Sequence, residues 1–263
     1  MTLASRATDT MGGTGAVFLN IAQAVGGMGV LFADVLVRIV KLDIDGHEVL
    51  RLMYRMGVKS VPIVVMTALF TGAIMVIQSA PTVQRWGAEG LLGWAAGFAI
   101  LREVGPLLTA LMLSGRVGAN NTAELGTMAV TEQIDALRAL AIDPTSFLLV
   151  PRFIGIVATL FLSTVSSDAL ALIGASQAGW ALLGVEPSLF FQGITGELLG
   201  VGDIMHGLIK SILFGVVIAL SSCRFGTSTS GGAPGVGRSV VTSVVVSAVG
   251  IFAVDYFVSF TLS

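Results

Sequence analysis

Only 11% of the 263 residues are charged and 54% are hydrophobic, with a mean hydropathy of +0.92. Soluble chains carry about 25% charged residues, so this one cannot cover a water-soluble surface of its size and reads as an all-α polytopic membrane protein. The single cysteine, Cys223, excludes an intramolecular disulfide and a cysteine-cluster metal site, and the net charge of −2 is less informative than where the charges sit.

Residues 11–33 carry no charge, are rich in glycine and merge into the charged stretch 34–41. This predicts a helix lying at the membrane interface or dipping into it. Ala22-Gln23-Ala24 resembles a signal-peptidase site. However, the one basic residue ahead of it, Arg6, is offset by Asp9, and Asn20 interrupts the apolar run, so a cleaved signal is not expected. Residues 41–60 (KLDIDGHEVLRLMYRMGVKS) predict a surface helix leading into the bilayer. Leu50, Met53, Tyr54 and Met56-Gly57 lean to one side, and Arg51, Arg55 and Lys59 suit lipid headgroups.

Five apolar runs follow, each long enough for a hydrocarbon core about 30 Å thick. They are 61–80, 91–113, 153–178, 204–222 and 239–262. Pro62 sits in the first turn of the first run, where its missing N–H costs nothing, and residues 81–90 read as a polar loop. The chain is thus one domain over 1–263, with residues 1–60 as an N-terminal elbow and 61–263 as a five-span bundle. With an N-terminus on the cytoplasmic side, that side holds Arg6, Arg38, Lys41, Arg51, Arg55, Lys59, Arg116, Arg138, Arg152, Arg224 and Arg238, and the far side only Arg85. The positive-inside rule then places the C-terminus on the far side. A sixth span at 11–33 would put the basic stretch 38–59 outside, which argues against it.

Residues 114–146 therefore read as a cytoplasmic loop containing an amphipathic helix. Asn121 and Glu124 resemble a capping box. Leu125, Met128, Ile134, Leu137 and Leu140/Ala141 recur near helical spacing, with Glu124, Glu132, Asp135 and Arg138 between them. Asp143-Pro144 ends the helix. Such a helix either lies on the membrane or docks on a cytoplasmic partner.

Nucleotide and metal motifs are missing: no lysine follows a glycine as a P-loop requires, there is no HExxH, and His47 and His206 are isolated. Neither a metal nor any other cofactor is expected. Gly200-Val201-Gly202-Asp203 matches the GxGD of intramembrane aspartyl proteases, but the only partner, Asp255-Tyr256, is reversed and downstream. Ionisable residues inside spans are costly and face a cavity or each other. Arg102 and Glu103 are neighbours, about 100° apart on a helix, so they cannot pair face to face. Their alternatives are structural pairing with Lys210, Asp168 or Asp255, or contact with a substrate pathway. Pro106 can bend the same helix. An ion-coupled secondary transporter would use Glu103, Asp168 and Asp255, but no internal repeat of the kind such folds carry is present.

The stretch LREVGPLLTALMLSGRVGANNTAELGTMAVTEQIDALRALAIDPTSFLLVPRF, residues 101–153, closely resembles the signature region of MlaE/YrbE-type permeases. These are the membrane subunits of ABC transporters that work with MCE-domain proteins in lipid trafficking. HEVLRLMYRMGVKSVPIVVMTALFTGAIMVIQ is similar to the family's entry into its first span. LIKSILFGVVIAL and GVGRSVVTSVVVSAVGIFAVDYFVS are similar to its last two spans. The resemblance implies five transmembrane helices, an N-terminal interfacial helix and a cytoplasmic coupling helix, here residues 122–143. It also implies a homodimer with a phospholipid pocket at the subunit interface, in a bacterial inner membrane. A dimeric ATPase lies below, an oligomeric MCE protein above, and a STAS-domain protein joins in some systems; nucleic acid is not a partner. By position, Arg102, Glu103 and Asp255 become lipid-pathway candidates. Glu124, Thr131, Glu132, Asp135, Leu137, Arg138 and Asp143 become candidates for coupling to the ATPase, and the chain itself is not the enzyme.

Overall fold

A computed structural model describes residues 22, 25–41, 45–87, 89–195 and 199–261. The expectations for residues 1–21, and for Gln23 and Ala24 of the signal-like triplet, lie outside the described residues.

Residues 25–40 form helix α1. Helix α2, Gly46–Val58, starts where the Asp45 carboxylate accepts hydrogen bonds from the backbone N–H groups of His47 (3.0 Å) and Glu48 (3.3 Å), a standard side-chain cap. It buries Val49, Leu52 and Met56 against the protein and leaves Leu50 and Tyr54 exposed. The sequence pattern grouped Leu50 and Tyr54 with Met56. In fact α2 has two apolar stripes, because one packs on the bundle and the other faces away from it.

Among the described residues, five helices are long and apolar enough to cross a membrane: α3 (Val61–Trp86), α4 (Leu92–Val130), α6 (Thr145–Leu183), α8 (Val201–Thr227) and α9 (Gly232–Thr261). Short helices α5 (Gln133–Ala139) and α7 (Pro187–Thr195) join α4 to α6 and α6 to α8. The chain is an all-α polytopic membrane protein, as its composition predicts.

Most of the helices extend beyond the apolar runs, and three of the differences shape the bundle. Helix α3 runs through Pro81 to Trp86 and ends at Gly87, whose φ of 60° is cheap only for glycine. Helix α4 does not stop at Leu113: Ser114–Gly118 makes a π-helical turn and the helix continues to Val130. At 39 residues it is about 58 Å long at 1.5 Å per residue, so it projects well beyond a hydrocarbon core. The expected single helix over 122–143 is accordingly two pieces. Residues up to Val130 complete α4, Glu132 breaks the helix with a φ of 59°, and α5 follows. Asn121 caps nothing; it lies inside α4.

Helix α6 is the central post, packing on α2, α3, α4 and α8. Its crossing with α3 depends on two reciprocal glycines. A methyl group at Gly72 would lie 1.8 Å from the Ala171 carbonyl oxygen, and one at Gly174 would lie 2.2 Å from that of Leu69. Small residues let membrane helices approach to backbone contact. We expect Gly72→Val to destabilise the protein by about 3 kcal/mol or more, since overpacking costs about 1–3 kcal/mol even where side chains can yield, and here the obstacle is main chain. Gly202→Ala, with no atom within 4 Å of the added carbon, is the control; thermal unfolding of both variants in detergent checks the contrast.

Candidate functional site

The bundle has two polar ends of interest, one beside α5 and one nearer α7, and α4 reaches both. Near α7, the segment Ile100–Val104 of α4 forms a π-helical turn, so its side chains step differently from those of a regular helix. Helix α8 presses onto this turn through Gly207, where a methyl would sit 2.0 Å from the Leu101 carbonyl oxygen. The turn carries Arg102 and Glu103 towards different partners.

Glu103 Oε2 pairs with Lys210 Nζ from α8. The same ammonium lies 2.8 Å from Asp255 Oδ1 of α9 and donates to Ser259 Oγ at 2.7 Å. Ser259 in turn donates to Glu103 Oε1 at 3.0 Å. Lys210 is 0% exposed, so it is tolerated only because two carboxylates and a hydroxyl take up its protons. Arg102 pairs with Asp203 Oδ1 at 3.0 Å and lies 5.3 Å from the Phe98 ring centroid, within cation–π range. Asp203 occupies the first turn of α8, where it also accepts the Gly200 N–H at 3.1 Å.

Glu103 and Asp255 are thus brought together, while Arg102 joins a separate pair. Lys210 and Asp255 were among the partners open to the pair from sequence. Asp203 and Ser259 were missed as partners: Asp203 read only as the aspartate of the GxGD match, and a lone serine in an apolar run gives no signal. Asp203 and Asp255 are held by different cations, an arrangement unlike an aspartyl dyad that shares one site.

At the α5 end, Arg152 of α6 is 9% exposed and donates to Asn121 Oδ1 and Glu124 Oε2, both at 2.9 Å. Glu124 also pairs with Arg55 of α2 and accepts from Asn120 at 3.1 Å. Asn121 donates to Ser222 Oγ of α8 at 2.9 Å, and Thr122 to Ser243 Oγ of α9 at 2.9 Å. These lateral bonds explain why so polar a stretch continues a buried helix.

Asp143 pairs with Arg38 of α1 and accepts the Ser146 N–H at 2.9 Å and the Thr145 N–H at 3.4 Å. Partial burial pushes its carboxyl up, but the Ser146 hydrogen bonds, the Arg38 charge and the Thr145 N–H outweigh that and hold it below its ordinary value. Arg38, Glu48, Asp143 and Arg152 line a cleft of about 490 Å³.

The seven coupling candidates therefore divide. Glu124 and Asp143 bind the chain's own arginines, and Leu137 is half-buried beside buried Ile134. Thr131, Glu132, Asp135 and Arg138 are exposed, and Asp135 and Arg138 pair with each other at 2.6 Å. Leu140 is 71% exposed, and Ile142 and Phe147 are exposed too. The sequence pattern had counted Leu140 on the covered face. The break at Glu132 interrupts the helical phase on which that pattern relied.

Comparison with known proteins gives a consistent result. A family model described as Permease MlaE matches residues 49–261. A probable ABC transporter permease protein of Synechocystis sp. is 36% identical over 232 residues, 88% of each chain. One from Rickettsia typhi is 33% identical over 254 residues, 92% of this chain and 98% of the relative. The chloroplastic protein Trigalactosyldiacylglycerol 1 of Arabidopsis thaliana is 34% identical over 230 residues, 88% of this chain and 65% of the plant protein.

Proposed function

The chain belongs to the MlaE permease family, and from that premise we propose that it is the membrane subunit of an ABC transporter that moves phospholipids. It works as a homodimer in a bacterial inner membrane, with its N-terminus in the cytoplasm and its C-terminus in the periplasm. A separate ATPase dimer docks on the cytoplasmic side and supplies the energy. An MCE-domain oligomer receives or delivers lipid on the periplasmic side, with a STAS-domain protein as a further cytoplasmic partner.

The observation that carries this reading is α4. One continuous helix of 39 residues bears Glu103 and Arg102 in the apolar bundle and ends next to the exposed α5. The positive-inside distribution of Lys and Arg supports a cytoplasmic position for α5. There the exposed Thr131, Glu132, Asp135 and Arg138, with Leu140 beside them, offer a polar rim and an apolar anchor of the kind a partner surface uses. ATP-driven movement of the partner pulls on α5, and α4 transmits the displacement to the charged network beside the lipid path, where Arg102, Glu103 and Asp255 sit.

The test is co-purification with the cognate ATPase. Glu132→Lys combined with Asp135→Lys is expected to abolish capture of the ATPase and stimulation of its activity, while the permease itself still folds. Normal assembly and ATPase stimulation in that variant would overturn the docking role of α5.

A further inference from the structure

Arg224 is a cation that the sites above leave without an anion. It stands in the last turn of α8 and is half-buried. Among the described residues it has no ion pair. The other described cations without one, Lys41, Lys59, Arg85, Arg116 and Arg238, are exposed to solvent. A charge withdrawn from water needs a partner more than an exposed one does.

The guanidinium lies against the main chain of α1. A methyl built on Gly27 would sit 2.5 Å from Arg224 Nε and 3.0 Å from its Nη2, so a side chain at that position would displace it. Leu31, one turn on, packs on the buried cluster that includes Cys223 of α8, which holds α1 along the end of that helix. Beside this seam runs a groove of about 540 Å³ whose lining includes Gly27, Val30, Leu31, Asp34, Val37 and Arg224. Val30 is 73% exposed and Val37 is 51% exposed. Asp34 is already paired with Arg38 at 3.2 Å. The groove thus combines apolar walls with one positive charge that has no ion partner among the described residues.

That combination suits an anionic amphiphile. Arg224 marks where a membrane-spanning helix leaves the hydrocarbon, which is the level of lipid phosphates, on the side where the basic residues are concentrated. A guanidinium donates paired N–H bonds to phosphate oxygens, and exposed valines on an interfacial helix suit acyl chains. We propose that the α1–α8 seam binds an anionic glycerophospholipid of the cytoplasmic leaflet, with its phosphate on Arg224 and an acyl chain along Val30 and Val37. This lipid fastens α1 to the bundle. Its site is separate from the Glu103–Lys210–Asp255 network, because Lys210 lies 14 residues back along α8, about 21 Å at 1.5 Å per residue. The proposal goes beyond the transport reading. It needs only that α8 spans a membrane with this end at the cytoplasmic face.

The test is lipid binding by the purified full-length protein, read by native mass spectrometry as the detergent-solubilised chain is titrated with dioleoylphosphatidylglycerol. Wild type should retain a lipid that Arg224→Gln binds about tenfold more weakly, the loss expected when a charge-assisted hydrogen bond is removed. Gly27→Leu keeps the charge but pushes the guanidinium off α1, and should weaken binding as well. Arg238→Gln removes an exposed cation from the same face and should bind like wild type. Unchanged binding in Arg224→Gln overturns the proposal. So does an equal loss in Arg238→Gln, which would mean diffuse attraction of lipid to a basic face. Inorganic phosphate should not displace the lipid; displacement would mean a bare anion site and would overturn the acyl-chain contact. Phosphatidylglycerol carrying a diazirine in its acyl chain should label residues 25–40, and labelling confined to other helices overturns the proposal. A disulfide between two chains of a Val30→Cys variant in vesicles would mean that a second copy covers the groove, and would overturn it too. If Arg224→Gln fails to fold, Gly27→Leu and the photolabel decide. Loss of phospholipid transport activity in the assembled complex would bear on the functional reading alone, since none of these measurements uses transport.

Discussion

Replacing Lys210 by methionine should destabilise the protein by about 3–5 kcal/mol, the usual cost of stranding buried charge by removing one partner. Glu103 and Asp255 both meet the same Nζ, and Lys210 is 0% exposed, so water cannot take its place. The triple variant Glu103→Gln, Lys210→Met, Asp255→Asn removes the stranded charges along with the cation and should recover most of that stability, because a neutral replacement of a whole buried ion cluster is often tolerated. Single changes at Glu103 or Asp255 should be milder than the lysine change, since the ammonium keeps one carboxylate. Thermal unfolding in detergent of the single and triple variants measures this. Equal damage in both would mean that the network is not what holds α4, α8 and α9 together there. Transport assays on the triple variant then separate stability from function: a folded but inactive protein places the charges themselves in the lipid path.

The second large effect is expected at Glu124. It bridges Arg55 of α2 and Arg152 of α6 from its place on α4, and Arg152 is nearly fully buried. Glu124→Lys would gather three cations in one place and is expected to cost at least about 3 kcal/mol. It should also release α2, which limited proteolysis at Lys59 would report. Glu132→Lys, eight positions on, changes an exposed residue and should stay within about 0.5 kcal/mol of wild type. The contrast matters for function, because both glutamates were coupling candidates on sequence grounds. A Glu124→Lys protein as stable as Glu132→Lys would refute the structural role given to Glu124.

The polar residues of 114–130 show where sequence reasoning succeeds and where it stops. Ser, Gly, Arg and two Asn in succession read as a turn and a helix start, because in water such residues favour caps and turns. Here their partners are other helices: Ser222 for Asn121, Ser243 for Thr122, and Arg152 for Asn121 and Glu124. No local pattern reveals a hydrogen bond to a residue some hundred positions away. Pro81 misled in a similar way, since a proline that would end a helix in solution is accommodated within a membrane span. The pairing of Arg102 and Glu103 was open for the same reason. Their adjacency ruled out face-to-face pairing, but the choice among Asp168, Lys210 and Asp255, and the pairing of Arg102 with Asp203 that lay outside it, depended on which helices pack against the π turn.

The sequence by itself determined the solvent, the class and the number of spans. These follow from composition and from runs of apolar residues, quantities additive along the chain and indifferent to topology. It also determined where positive charge is concentrated, and hence the orientation argued here. Only the tertiary structure decided that residues 122–143 are a broken continuation of α4, that Glu124 and Asp143 bind the chain's own arginines while Glu132 and Asp135 do not reach the bundle, and that Lys210 is the hub of the intramembrane charges. The physical reason is that a buried polar group is stable only beside a particular partner. That partner is supplied by helices crossing at backbone distance, as α3 and α6 do at Gly72 and Gly174, and such crossings are a property of the assembled bundle.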